Sequence, residues 1–196
     1  MDDDTRAEQP GVEAQRRGTE PRYESTYVNA GAEVAATGEG EPVTAGHQES
    51  GLGQIGEAVE RSGVHLQFVP QPIPLETCWY TVGLTGHGHP ELIVFGLPPD
   101  ISRPALHTVA GEIIGGRRAF APGQYADDVI EGHEIQFVKV IEPERHLPVA
   151  AQFYAATGAT VDALQIVWPD RYHRWPWQPG TRVGDMPVLG RPVSPG

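Results

Sequence analysis

The feature that most limits what this chain can fold into is where its aromatic residues lie: all four Trp and all five Phe come after position 60. Charge divides at the same place. Residues 1–60 carry 13 Asp or Glu against 4 Arg, a net of −9; residues 61–196 carry 13 against 10, a net of −3, giving −12 together. The early stretch GAEVAATGEGEPVTAGHQESG is mostly Gly, Ala, Glu and Thr. Such a segment cannot bury enough apolar surface to offset an ordering cost of roughly 1–2 kcal/mol per residue. The expectation is a disordered acidic Gly/Ala/Glu-rich arm over 1–50, followed by a single domain over 51–196. A domain of that length buries around two-thirds of its unfolded surface and needs no disulfide or structural metal.

The single cysteine, Cys78, has no partner for an internal bridge, and the opening MDDDTRAEQP is unlike a secretory leader. No apolar run approaches the ~18 residues of a membrane span. These features point to the cytoplasm. Nucleic acid and anionic membranes are bound largely through Lys and Arg, and the chain has one lysine, Lys139, within a net charge of −12. Neither is an expected partner. The preference for Arg over Lys reads as the codon composition of a GC-rich genome.

Periodicity outlines the elements. Leu52, Ile55 and Val59 recur at helical spacing until Ser62-Gly63. Val64, Leu66 and Phe68 alternate with polar residues as in a half-buried strand, and the proline-rich VPQPIPLE reads as a loop. CWYTVGL and ELIVFG bracket the turn TGHGHP, a hairpin pattern, and the unbroken apolar run from Leu92 to Phe95 predicts a strand covered on both faces. Asp100 or Ser102 would cap a helix whose apolar stripe runs from Ile101 to Ile114 and which Gly115-Gly116 closes. RAFAPG and YADDVIEG read as short strands or arms. In EIQFVKVI the apolar phase shifts, which requires either a bulge or cover on both faces. A helix over 147–157 and a last strand ALQIVW precede an irregular Pro-, Trp- and Arg-rich end. This order predicts an α+β fold: a mainly antiparallel, curved sheet with two to three packed helices.

Gly51-Leu52-Gly53-Gln54-Ile55-Gly56 matches the dinucleotide G-x-G-x-x-G pattern, with Glu76 near the offset of a ribose-binding acid. The context does not fit, because that fingerprint follows a buried strand and here VTAGHQES precedes it. A glycine-rich linker entering a short helix is the simpler reading.

Two constellations carry chemical content. In Gly86-His87-Gly88-His89-Pro90-Glu91, an extended backbone would aim His87 and His89 to one side. Two imidazoles suit zinc or iron, with Glu91 as a third ligand or general base. His133, Asp127, Asp128, Asp170 and His173 are the more distant candidates. Against this stands a plain hairpin turn with solvated histidines. The second constellation is Trp168-Pro169-Asp170 with Trp175-Pro176-Trp177, which could wall a ligand pocket together with Tyr80, or plug an open sheet edge. Asp170 is then either a site carboxylate or a turn-capping residue. No G-x-S-x-G elbow occurs, and Cys78 beside Trp79 reads as a buried, inert thiol.

The segments Tyr80-Thr81-Val82-Gly83-Leu84, His89-Pro90-Glu91-Leu92 and Val167-Trp168-Pro169-Asp170, with AAQFYAA between them, resemble the bacterial family known as domain of unknown function 4262. The similarity runs from about Val64 to Leu189. It implies a small intracellular bacterial α+β domain and no particular activity. After Asp170 the family continues through a glycine turn into Phe-Pro-Trp, whereas here Tyr172, His173 and Arg174 lead into Trp175-Pro176-Trp177.

Two function classes follow. The favoured one is a ligand- or protein-binding, regulatory module using the Trp-rich end and the hairpin to hold a small molecule or protein partner. The other is a metal-dependent hydrolase in which His87, His89 and Glu91, with Asp170 as a further carboxylate, surround a divalent zinc or iron ion that activates water.

Overall fold

The computed structural model describes residues 45–193. Its elements are α1 (Ala45–Ser62), β1 (His65–Val69), β2 (Cys78–Val82), β3 (Glu91–Phe95), α2 (Pro99–Ile114), β4 (Tyr125–Ile130), β5 (His133–Lys139), α3 (Pro143–His146), α4 (Pro148–Ala155) and β6 (Ala163–Val167). Of the arm expected over 1–50, residues 1–44 lie outside the described residues. The opening helix starts at Ala45, earlier than the Leu52 periodicity suggested.

All six strands join one sheet in the order β1-β2-β3-β6-β5-β4. The fold is α+β and mainly antiparallel, as expected, with one exception: β3 and β6 run parallel, Glu91 opposite Ala163 and Val94 opposite Ile166. Both strands are buried along their whole length, which suits the middle of a sheet covered on both faces. On one face, α2 covers a core of Leu92, Val94, Leu106, Val109, Phe137 and Ile166. On the other, α1 and α4 pack over β1 and β2, with Tyr80, Ile93, Leu147 and Tyr154 in the shared core. The C-terminal segment crosses that same face farther along, where Gln165 on β6 binds the Pro187 carbonyl and the Leu189 N–H.

One local expectation is corrected and two left open are decided. Neither Asp100 nor Ser102 caps α2. Pro98 occupies the cap position without a side-chain bond and Pro99 takes the first turn, where its missing N–H is no loss. The Ser102 hydroxyl instead donates back to the Pro98 carbonyl at 3.0 Å. The apolar phase shift in β5 reflects cover on both faces, since Ile135, Gln136, Phe137 and Val138 are all buried; the irregularity falls on β4, between Ala126 and Ile130. RAFAPG forms no strand.

Candidate functional site

The parallel pair sets the geography of every candidate residue. The histidine turn precedes β3 and so sits at the amino ends of β3 and β6, whereas Trp168 and Asp170 follow β6 at the carboxyl ends. Strands of this length rise roughly 3.3 Å per residue, which separates the two ends by ~15 Å. The two constellations therefore do not share a cavity.

Toward the amino end of β3, its pairing with β2 runs from Cys78–Phe95 only as far as Tyr80–Ile93, and the strands then splay. Glu91 fills the gap and is fully buried. One of its oxygens accepts the Thr81 hydroxyl at 2.6 Å. The other accepts the N–H groups of Gly83 (3.0 Å) and Thr85 (2.9 Å), the Thr85 hydroxyl (3.0 Å) and the Tyr154 hydroxyl (3.3 Å). Thr81 in turn accepts the Leu92 N–H, standing in for a missing ladder bond. Gly83 has a φ of 139° and lies so close to the Gly63 carbonyl that no side chain fits there. Five donors on one carboxyl group, four of them on a single oxygen, tie β2, the turn and α4 together. The arrangement is a structural knot.

The two histidines of the turn are not aimed alike. Leu84–His87 is a 3-10 helix and Gly88 is left-handed, so the extended run that would align the imidazoles is absent. His87 is exposed, while His89 is 6% exposed and packs edge-on to Phe120. The Phe120 N–H donates to His89 Nε2 at 3.0 Å, which requires the Nδ1 proton to face the Pro90 carbonyl at 2.7 Å. Both His89 nitrogens are thereby engaged. A shallow depression of about 320 Å³ lies between the turn and the end of α2, lined in part by His87, His89, Arg117 and Arg118. Among the described residues, no three His, Cys, Asp or Glu side chains come near enough together to hold a metal ion. Asp128 is committed to Arg118, at 2.7 Å. His133 opens β5, and His173 belongs to the Asp170 turn.

At the carboxyl ends, the Trp168 indole donates to the Phe95 carbonyl at 2.8 Å, fastening β6 to β3. A side chain on Gly96 would meet both Leu75 and Trp168, so the loops after β1, β3 and β6 meet here. Asp170 is 3% exposed. It accepts the backbone N–H groups of Tyr172 (2.8 Å), Arg174 (3.0 Å) and Arg182 (3.0 Å), and the Arg174 Nε at 3.1 Å. Burial alone would raise its carboxyl, but the backbone donors of Arg174, Arg182 and Tyr172 and the Arg174 guanidinium hold it well below the usual carboxylate range. The turn forces His173 to a φ of 59°, a conformation costly for a residue with a side chain.

The consequence of this anchoring was not anticipated from the sequence. The guanidinium carbons of Arg171, Arg174 and Arg182 stand 4.8, 5.0 and 5.8 Å from the ring of Tyr172, which is 51% exposed. Trp177, 37% exposed, stacks on buried Trp175 at 5.3 Å, and Trp175 meets Tyr125 of edge strand β4. Tyr80 lies apart, fully buried, its hydroxyl accepting the Val149 N–H at 3.3 Å; burial pushes that hydroxyl up to about 12.

Burial likewise pushes the Cys78 thiol up to about 11, so little thiolate forms at neutral pH. Native protein is expected to resist a disulfide reagent such as DTNB at pH 8 and to react fully once unfolded in guanidinium. Rapid labelling of the native state would contradict the placement of this thiol.

Residues 58–182 match the family described as Domain of unknown function (DUF4262). The chain belongs to this family. The DUF4262 region takes in all six strands, the Glu91 knot and the Asp170 turn through Arg182, and leaves the C-terminal segment over the sheet outside. No curated protein and no solved structure matches the chain. Among the described residues no helix is long and apolar enough to cross a membrane.

Proposed function

We propose that this domain is a cytoplasmic binding module that captures an acidic protein segment on the arginine- and aromatic-bearing end of its sheet. The observation that carries this reading is the group of three guanidiniums around one half-exposed tyrosine. Like charges gathered around one ring repel one another, and among the described residues the Asp170 carboxylate forms an ion pair with Arg174 alone. An arriving carboxylate would relieve the repulsion left between Arg171 and Arg182, and arginine pairs with carboxylates through parallel N–H bonds. The surrounding surface supports a protein partner over a small molecule. Trp177, 37% exposed, lies in the same turn, and Ile73 and Phe68, 49% and 37% exposed, stand at the same end of the sheet, so apolar side chains are available there besides the charges. The single buried thiol fits a reducing compartment.

The test uses a short synthetic peptide of Glu and Asp carrying one Phe. Binding to the full chain is expected to weaken steadily from 0.05 to 0.5 M salt, as screening shortens. Arg171→Ala/Arg182→Ala should weaken it by about tenfold or more, which is 1.4 kcal/mol or more. These side chains are exposed, so the Tm should not move. Equal affinity in the variant would overturn the reading.

A further inference from the structure

We propose that the depression at the opposite end of the sheet, between the histidine turn and the C-terminal end of α2, binds a small oxyanion. This inference stands independently of the acidic-partner reading, because different residues carry it. The alternative, metal-dependent reading put a metal at this histidine turn, yet Arg117 and Arg118 line the depression beside the two histidines. Guanidiniums carry N–H donors and no acceptor, so they can bind an anion and cannot ligate a cation.

The side chains there are held in place. Arg118 is clamped by Asp128, through two bonds of 2.7 and 3.1 Å, and by Glu112 at 3.3 Å. Those three bonds leave its Nε–H and one terminal N–H without a partner among the described residues. Its guanidinium also lies over Phe120, 4.7 Å from the ring centre, and the Phe120 N–H is fixed by His89. His89 thus positions the Arg117-Arg118 segment without offering a donor of its own. Asp128 and Glu112 together more than offset the charge of Arg118, so the pull on an anion rests on Arg117, which makes no ion pair among the described residues, and on the two unused N–H groups of Arg118. Exposed His87 lines the same depression.

The end of a helix ordinarily disfavours an anion through its free carbonyls. Here the N–H groups of Gly115, Gly116, Arg117 and Arg118 turn back onto the carbonyls of Gly111, Glu112 and Ile113. Gly88 and Gly116, both left-handed, line the depression with open space where side chains would stand, so a ligand can approach the backbone closely. The volume of about 320 Å³ suits a phosphate or carboxylate group with a modest attached body.

The experiment is an amide NMR titration of the full chain with inorganic phosphate and, separately, with citrate, chloride being adjusted to hold ionic strength constant. The expected result is saturable shifts confined to residues 86–90 and 115–120. Saturation by phosphate alone assigns a phosphoryl ligand; saturation by citrate, alone or with phosphate, assigns a carboxylate-bearing one. His87→Ala/Arg117→Ala, two exposed positions, should keep the spectrum of the fold and raise the dissociation constant at least tenfold. Shifts that rise linearly without saturating, or that persist unchanged in the variant, would overturn the proposal.

Discussion

Replacing Glu91 by alanine is expected to destabilise the domain by about 3 kcal/mol or more, a loss larger than that from any surface change at the histidine turn. The reason is the number of groups left stranded. Five donors converge on this fully buried carboxyl group, two from backbone N–H groups and three from the hydroxyls of Thr81, Thr85 and Tyr154. An unsatisfied buried donor costs about 1–3 kcal/mol, and water entering the cavity would recover only part of that. For a domain of this size the Tm should fall by about 10 °C. Glu91→Gln keeps the shape but turns an NH₂ group toward donors, and should lie between wild type and alanine. Thermal unfolding of both variants checks this. A fall of under about 2 °C for the alanine variant would mean that Glu91 does not hold the splayed strands together.

The second large effect is local. Asp170→Ala should release the turn over 170–182, because one carboxylate fixes three backbone N–H groups and the Arg174 guanidinium. Trp175 and Trp177 stack within that turn, so tryptophan emission should shift to the red. Trypsin should cut after Arg171, Arg174 or Arg182, bonds that the folded turn protects. The acidic peptide should lose affinity as the three guanidiniums disperse. The pH dependence has a definite sign. A carboxyl group whose folded value is depressed contributes stability above its unfolded value of about 3.9, and that contribution disappears as pH falls through the lower folded value. The wild-type turn should therefore stay closed through pH 4 and open only in stronger acid. A turn as protease-resistant in the alanine variant as in wild type would contradict the role of Asp170.

Much of the architecture was legible because it depends on patterns close in sequence. The apolar stripe from Ile101 to Ile114 ended at Gly115-Gly116, and Gly116 is left-handed as such a stop requires. CWYTVGL and ELIVFG formed the antiparallel pair their turn implied. The parallel pairing of β3 with β6 was not legible. A run such as Ala163–Val167 reports burial on both faces and says nothing of which distant strand lies beside it.

The candidate site was read less well, for identifiable reasons. The metal reading of the histidine turn required an extended backbone, but the positive φ at Gly83 and Gly88 curls it, as the alternative of a plain turn implied, and sends His87 and His89 to different surroundings. Glu91 carried a signal that could have been used: an acid opening a strand buried on both faces must meet internal donors, and Thr81 and Thr85 were already in view. The arginine surface was missed because Arg171, Arg174 and Arg182 look unrelated along the chain. The Asp170 carboxylate, by gathering the backbone at 172, 174 and 182, brings their side chains around Tyr172.

The central claim is that the carboxyl ends of the parallel pair carry the working surface for a protein partner, while the Glu91 knot is framework. Its most direct test is an amide shift map of the full chain titrated with the acidic peptide. The expected map shows saturable changes at residues 168–182 and in the adjoining loop at 70–77, with residues 84–91 unmoved. Changes centred on 84–91, or none that saturate, would contradict the claim.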